Sequence, residues 1–423
     1  MYNLWNMLLL PRRRMQDEAG SLVRRRIVLI GRAKRRSLLA VPCFAIVLLA
    51  PAGGTQVSHE LSGSTEDHLA AKGWWPTKAT SHGPAYAGEG ACGKCHVQEY
   101  SNQANTSMAK ADLRLSDNPK NADPVSGTLE SGSYTYRLVP ANDGLNLEVQ
   151  SQGKSISVNV LWVFGAGVHG RSFILGDRRE YYEAQVSSFS STHALDLTPG
   201  HTIAMEGSLE NAIGNRLSIR EATRCFACHT TAWSTEGKLD LEKAVPGVHC
   251  EACHGPGTEH ISAEQNRPKD GASSTIFNPA HLTPSGSVDF CGACHRATMD
   301  VVLNPIPSGI SSIRFQPYRL QKSRCWEKTE DARLSCTACH NPHEPLVRIA
   351  SFYDQKCLSC HTQQRGAKQA SLALPSAGNP SVCPKAATDC VSCHMPKYNL
   401  PEMHSQFTDH FIRIVRPGQS YPN

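Results

Sequence analysis

Cys225-Phe-Ala-Cys228-His229, with Cys250-Glu-Ala-Cys253-His254 after it, is the stretch that decides how this 423-residue chain is read. The same pattern recurs at Cys92/Cys95/His96, Cys291/Cys294/His295, Cys336/Cys339/His340, Cys357/Cys360/His361 and Cys390/Cys393/His394, seven times in all. It is the attachment signature of c-type haem: two thiols add across the vinyl groups as thioethers, and the adjacent histidine takes one axial position on the iron. Structural zinc, the competing reading, needs four Cys or His ligands per metal and is indifferent to the residue after the second cysteine. With only 19 histidines in 423 residues, seven successes in seven motifs are not a product of composition. Fourteen of the 17 cysteines are thereby assigned, leaving Cys43, Cys325 and Cys383.

Six motifs fall between Cys225 and His394. In that stretch seven-haem stoichiometry would make the macrocycles the core, and the expected fold is mostly α and irregular, with an inserted antiparallel β-rich domain. The net charge of +6 suggests nucleic acid until its distribution is read. Residues 1–52 hold ten Lys or Arg against two acids, so the rest carries 33 bases against 35 acids. Haem propionates add negative charge, and nucleic-acid binding is not indicated.

The basic leader runs through Lys34-Arg35-Arg36 into an apolar run from Leu38 to Ala50 and an Ala50-Pro51-Ala52 site. This is the pattern of a secretory signal, and its apolar run is short of the roughly 20 residues of a spanning helix. A periplasmic or extracellular location follows, with membrane association possible but not indicated. Export agrees with haem attachment outside the cytoplasmic membrane. An oxidising compartment makes Cys325 and Cys383 candidates for a disulfide, with two buried thiols as the alternative.

Residues 53–88 read as a flexible linker whose His59, His68 and His82 are solvated, and 89–122 as the first haem segment. Over 123–222 the pattern turns to period two: Tyr134, Tyr136 and Leu138, then Leu145, Leu147 and Val149, then Ile156, Val158 and Val160. Asp143-Gly144 and Gln152-Gly153 separate the runs as turns, so this is an antiparallel meander with a core of its own. Gly165-Ala-Gly167-Val-His-Gly170 matches a dinucleotide fingerprint in letters only; no helix follows, and it reads as a glycine-rich turn. Residues 223–303 carry the second to fourth motifs and 318–416 the last three with the C-terminal ligand segment.

A filled sixth position makes a haem an electron carrier and an open one a catalyst. His260, His343, His404 and His410 are the best-placed second ligands, with Met108, twelve residues after His96, as a thioether that would raise the potential of the first haem. His343, in Cys339-His340-Asn-Pro-His343, reaches a neighbouring haem more readily than its own. His249, His201 and His281 are weaker candidates, and His169 weaker still.

The pieces CGKCHVQEY with TSMAKA, GRSF and TPGH, CEACHGPGTEH, FCGACHR, RLSCTACHNPHEP, KCLSCH and CPKAATDCVSCHMPK with HSQFTDHFIR cover most of residues 88–416. In order and spacing they resemble the cytochrome c-554-type, doubled-CxxCH multihaem cytochromes. The resemblance implies covalent haem c, export, electron transfer through closely packed haems, and a structural Cys325–Cys383 pair. A histidine-bearing helix follows the first motif in the tetrahaem relative, where this chain has Ser107-Met108-Ala109.

Two functions are weighed. One is an electron-transfer protein serving redox protein partners in the cell envelope; the other is an oxidoreductase acting on a small nitrogen or sulfur compound at one five-coordinate haem. All seven motifs end in histidine and none is CxxCK, which favours the first.

Overall fold

The period-two runs form an antiparallel sheet. In the computed structural model the described residues are 63–70, 85–117, 127–142, 144–177, 180–205, 207–235, 238–266, 275–303, 309–329, 333–361, 388–416 and 418–422. The leader, Cys43, His59, His82 and Cys383 lie outside them.

The sheet has ten strands: β1 (Asp112–Arg114), β2 (Thr128–Ser131), β3 (Tyr134–Ala141), β4 (Gly144–Ser151), β5 (Lys154–Phe164), β6 (Gly170–Gly176), β7 (Tyr181–Ala184), β8 (Val186–Phe189), β9 (Ala194–Leu197) and β10 (Gly214–Leu217). Its order is β10-β7-β6-β5-β4-β3-β2, with β1 on β5, and β8 pairing both β6 and β9. Register puts Tyr136 opposite Val149 and Leu138 opposite Leu147, so the apolar set of each strand lands on one face. Gln152 and Gly153 both take positive φ, at 50° and 76°, as the two-residue hairpin between β4 and β5 requires.

β5 does two jobs. Its first half pairs β4, its second half pairs β6 and β1, and the register shifts between Val160 and Trp162. Such an irregularity bends the strand and re-aims its side chains. Val160 and Val163 join Tyr134, Tyr136, Leu147, Phe173 and Leu175 in one core. Trp162, Phe164 and Ile174 face the other way, into a second core with Phe226, Ala227 and Ala293 of the motif-bearing helices. The β region therefore has a core of its own and shares another.

Fourteen helices are described: α1 (Thr65–Ala70), α2 (Glu89–Cys92), α3 (Val97–Gln103), α4 (Leu209–Ala212), α5 (Ile219–His229), α6 (Cys250–His254), α7 (Thr258–Gln265), α8 (Pro284–His295), α9 (Thr298–Leu303), α10 (Gln316–Gln321), α11 (Arg324–Thr329), α12 (Cys336–Cys339), α13 (Ala350–His361) and α14 (Cys390–His394). Short ladders β11 (Thr230–Thr231) with β14 (Val245–Pro246) and β12 (Ser234–Thr235) with β13 (Lys238–Leu239) follow α5, and β15 (Lys397–Leu400) with β16 (Ser405–Thr408) follows α14. Among the described residues no helix is long and apolar enough to cross a membrane.

Two expectations about the fold need correction. "Mostly α" understates the sheet, because strands continue to both edges of the period-two region and their second face is used by the helices. His68 is not solvated: it is 2% exposed on α1, with Nε2 3.2 Å from Asp289 of α8. Thr65 anchors the same helix by donating from Oγ1 to the Ala293 carbonyl at 2.9 Å. The Gly165–Gly170 segment is the turn from β5 to β6; a Cβ on Gly165 would stand 2.6 Å from the Gly170 carbonyl oxygen, which accounts for a glycine there.

Candidate haem sites

Every motif lies at the end of a helix. Positions i, i+3 and i+4 share a helix face, so Cys-x-x-Cys-His sets two thiols and an imidazole side by side. In α5, α6, α8, α13 and α14 the histidine is the last helical residue. Two of the longer motif helices, α5 and α8, start on side-chain caps. Ser218 and Glu221 form a reciprocal capping box on α5, and Thr283 Oγ1 accepts the Gly286 N–H of α8 at 3.1 Å, with Pro284 beginning the first turn.

Three motif histidines face a second imidazole. His254 and His343 stack with ring centroids 6.0 Å apart and planes 9° apart. His96 and His260 stand 6.5 Å apart at 24°, and His340 and His410 6.3 Å apart at 43°. A metal bonded at about 2 Å to a nitrogen of each ring separates imidazole centroids by about 6 Å. The donor sets therefore fit six-coordinate iron. His343 lies three residues after His340 and faces His254, the histidine of a different motif.

The second ring nitrogens fit as well. His229 Nδ1 lies 3.0 Å from the Ala111 carbonyl oxygen, His254 Nδ1 2.9 Å from that of Phe277, His394 Nδ1 2.9 Å from that of Arg413, and His410 Nδ1 3.1 Å from that of Thr408. A carbonyl accepting from Nδ1–H fixes the tautomer and leaves Nε2 for a metal. Burial lowers the basicity of His229, His254 and His340, and brings His410 down to about 4. These rings are neutral at physiological pH, as metal ligation requires.

The motifs also touch one another. The thiols of Cys92 and Cys250, Cys228 and Cys294, Cys291 and Cys336, and Cys357 and Cys390 are near enough to shift one another's acidity. Their helices pack correspondingly: α2 on α6, α5 on α8, α8 on α12, α12 on α13, and α13 on α14.

Cys95 and Cys393 are exposed, whereas the other twelve motif cysteines are half-buried. The physical reason is the shortness of their supports. α2 ends at Cys92, which leaves Cys95 in the turn before α3, and the five residues of α14 bury none of their side chains. In both motifs the first cysteine packs on a neighbouring motif, Cys92 on Cys250 and Cys390 on Cys357, and the second faces solvent. Three of the motif histidines, His96, His295 and His361, are exposed as well. Attachment requires a reachable thiol and not a buried one, so Cys95 and Cys393 stay in the donor set, at the surface of the first and seventh sites.

The sheet buttresses the second motif. Phe164 presents its ring edge-on to His229 at 4.9 Å and to Phe226 at 5.1 Å, while Trp162 meets Phe226 at 5.0 Å. Arg114 stacks over Trp162 at 5.2 Å and donates from Nη1 to the Leu241 carbonyl at 2.8 Å. Next to this, Asp112 accepts from Thr230 Oγ1 and from the Gly247 N–H, and burial pushes its carboxyl up to about 7.

Other candidates sit elsewhere. His404, expected as a ligand, turns to the sheet: Nε2 is 2.7 Å from Asp196 and its ring lies edge-on to Phe189 at 4.7 Å. It is pinned there by its place in the tight turn between β15 and β16, where its φ is 47°. Met108 is half-buried and its carbonyl accepts the Val248 N–H at 2.8 Å, while the ring opposite His96 belongs to His260. His201 has both nitrogens engaged, with Gln185 and Glu183. His249 Nε2 is 2.8 Å from the Pro246 carbonyl oxygen, His281 is exposed, and His169 packs on Phe407 at 4.6 Å. Among the described residues no second imidazole stacks on His229, His295, His361 or His394. Cys325 lies on α11 near Cys357 and Cys360.

Sequence reasoning missed one polar group altogether. Arg319 and Asp409 are fully buried and paired, 90 residues apart in the chain. No periodicity or motif marks either residue.

A family profile described as "Cytochrome c554 and c-prime" matches residues 181–255, from β7 through the third motif. The chain is 24% identical over 222 residues to the multiheme cytochrome MtrA of Shewanella baltica (strain OS185), a match covering 43% of this chain and 64% of that protein. It thus spans less than two thirds of that relative's length. The outer cell wall cytochrome OcwA has a structure similar at a TM-score of 0.45 and 14% identity, over 78% of this chain and 80% of that one. Seven Cys-x-x-Cys-His motifs, the matched segment and the curated relative agree in their likeness to the multihaem c-type cytochromes.

Proposed function

We propose that this is an exported heptahaem cytochrome that relays electrons between redox proteins of the cell envelope. Contact between motifs carries the reading: the packing of α2 on α6, α5 on α8, α8 on α12, α12 on α13 and α13 on α14 puts the first motif beside the third, the second beside the fourth, and the fourth to the seventh in a row. A substrate enzyme needs one accessible site; packing motif against motif serves passage from site to site.

Haem c, once attached, supplies one-electron chemistry, and the protein supplies spacing, ligation and burial. Cys92/Cys95, Cys225/Cys228, Cys250/Cys253, Cys291/Cys294, Cys336/Cys339, Cys357/Cys360 and Cys390/Cys393 would hold the seven groups, each with its adjacent histidine below the iron. His260, His343 and His410 would close the first, third and fifth sites, and Met108 and His404 would not ligate. The exposed Cys95 and Cys393 would put the first and seventh groups within reach of redox partners. Neutral, carbonyl-oriented imidazoles favour low-spin iron with little rearrangement on reduction. The basic leader and the requirement for haem attachment outside the cytoplasmic membrane support a periplasmic or extracellular location.

The test is a haem count by pyridine haemochrome with EPR and resonance Raman spectra of the oxidised protein. Seven haems are expected, with low-spin bis-histidine signals from the first, third and fifth sites. A high-spin component that binds nitrite or hydroxylamine would replace the relay with the small-molecule oxidoreductase.

A further inference from the structure

Arg319 on α10 has no exposed surface. Its Nε and Nη2 donate to the two carboxylate oxygens of Asp409 at 2.9 and 3.0 Å, and Nη1 donates to the Pro422 carbonyl at 3.0 Å. The guanidinium lies 4.6 Å from the Tyr421 ring and 5.3 Å from the Phe411 ring. Asp409 takes two further bonds, from Arg413 Nη1 at 2.6 Å and the Phe411 N–H at 3.0 Å. Burying a charge pair is costly, and its reward is geometric definition where every lone pair is satisfied.

The definition falls on two sites. Asp409 immediately precedes His410, whose ring faces His340. Ser323 holds the same segment, donating to the His410 carbonyl at 3.3 Å and accepting the Ile412 N–H at 2.8 Å. At the other end of the segment, the Arg413 carbonyl accepts from His394 Nδ1 at 2.9 Å, and the Arg413 N–H donates to the His394 carbonyl at 3.2 Å. The Asp409 N–H bonds the Pro396 carbonyl, two residues past His394, at 3.0 Å. Residues 409–413 thus reach the second ligand of the fifth site and the proximal histidine of the seventh.

We infer that Arg319, Asp409 and Arg413 form a buried clamp that positions His410 on the fifth haem and His394 on the seventh, so that one ion cluster sets the axial ligation of two haems. The three are positioning residues. The inference rests on the multihaem reading and adds to it a dependence of two sites on side chains that touch neither iron.

The experiment compares EPR and resonance Raman spectra of purified oxidised holoproteins at measured haem content. His410→Met first identifies the low-spin signal of the fifth site. Arg319→Met should alter that same signal and shift one other, leaving the signal removed by His343→Met at full intensity. Arg319→Lys, which keeps the charge and loses the bidentate fork, should recover part of the wild-type signal. Full haem content with an Arg319→Met spectrum identical to wild type overturns the clamp. Should Arg319→Met fail to accumulate, Ser323→Ala gives the decision: a shift of the His410 signal supports the clamp, and no shift overturns it. A wild-type protein without covalent haem would instead remove the multihaem reading itself.

Discussion

Two regions of this molecule position motif histidines by different physics. Around the second motif the support is apolar: Phe164, Trp162 and Phe226 form a ring cluster between the sheet and α5, and His229 rests against its edge. Around the fifth and seventh motifs the support is ionic, built on Arg319, Asp409 and Arg413. The difference follows from what each region has to pack. Strands β5 and β6 bring a second apolar face to α5, and edge-to-face ring packing adds to area burial. Among the described residues the sheet beside the fifth and seventh motifs is a two-stranded ladder, with no second apolar face of a large sheet to pack on. The fully buried side chains of this region include Arg319, and orientation there comes from hydrogen bonds with fixed directions.

The contrast can be broken most forcefully at its ionic end. Arg319→Met leaves the buried Asp409 carboxylate with Arg413 alone, and breaking a buried pair costs about 3 kcal/mol or more; a lower denaturation midpoint in guanidinium is expected, and an unchanged one would mean that the pair carries no stability. Phe164→Ala attacks the apolar end at about 3 kcal/mol, the usual range for a buried aromatic. It should perturb the His229 site while leaving the His410 signal intact, a selectivity that EPR of the holoprotein can read.

A pH effect separates the regions further. Burial raises Asp112 to about 7, outweighing the Thr230 and Gly247 donors that favour its ionised form. An unfolded aspartate titrates near 4, so the folded state binds this proton more tightly and stability falls as pH rises between about 4 and 7. Asp112→Asn should flatten the melting temperature of the protein over that window relative to wild type. Asp409 has the opposite sign: burial raises its carboxyl, yet the bonds from Arg319, Phe411 and Arg413 outweigh that and hold it below its ordinary value. Its contribution is present above the usual carboxylate range and is lost as pH falls through the folded value.

Smaller effects test the ligand assignments and the caps. His343→Met should raise the potential of a single site in a potentiometric titration, because a thioether ligand raises potential, whereas Met108→Leu and His404→Gln should leave all potentials in place. Ser218→Ala removes the capping box of α5 and should cost about 1 kcal/mol in thermal or denaturant unfolding.

The side-by-side placing of two thiols and an imidazole was legible from residue order alone, since Cys-x-x-Cys-His is local and a single helical turn suffices to assemble it. How deeply each motif sits was not legible: Cys95 and Cys393 are exposed while Cys228 and Cys294 are half-buried where α5 packs on α8, and the seven motifs read alike. The meander was legible for the same reason as the motifs: Tyr134 to Val160 alternate with period two, and Gln152-Gly153 marks the hairpin. The bend of β5 was not, because nothing in Val160-Leu161-Trp162 distinguishes which of two cores each residue will meet. Second ligands were legible as a set of histidines and not as partners. His343 and His260 stand opposite motif histidines, and His404, with equal standing in the sequence, is captured by Asp196 more than two hundred residues away.

By itself the sequence determined the seven covalent attachment motifs, the antiparallel character of residues 128–164 and the acidic balance beyond the leader, because each depends on residue type and near-neighbour spacing. Only the tertiary structure decided which motifs adjoin, which thiols face solvent, which imidazoles face one another, and that Arg319 and Asp409 meet. Those are long-range pairings, selected by packing and by the need to satisfy every buried charge, and a linear pattern carries no trace of them.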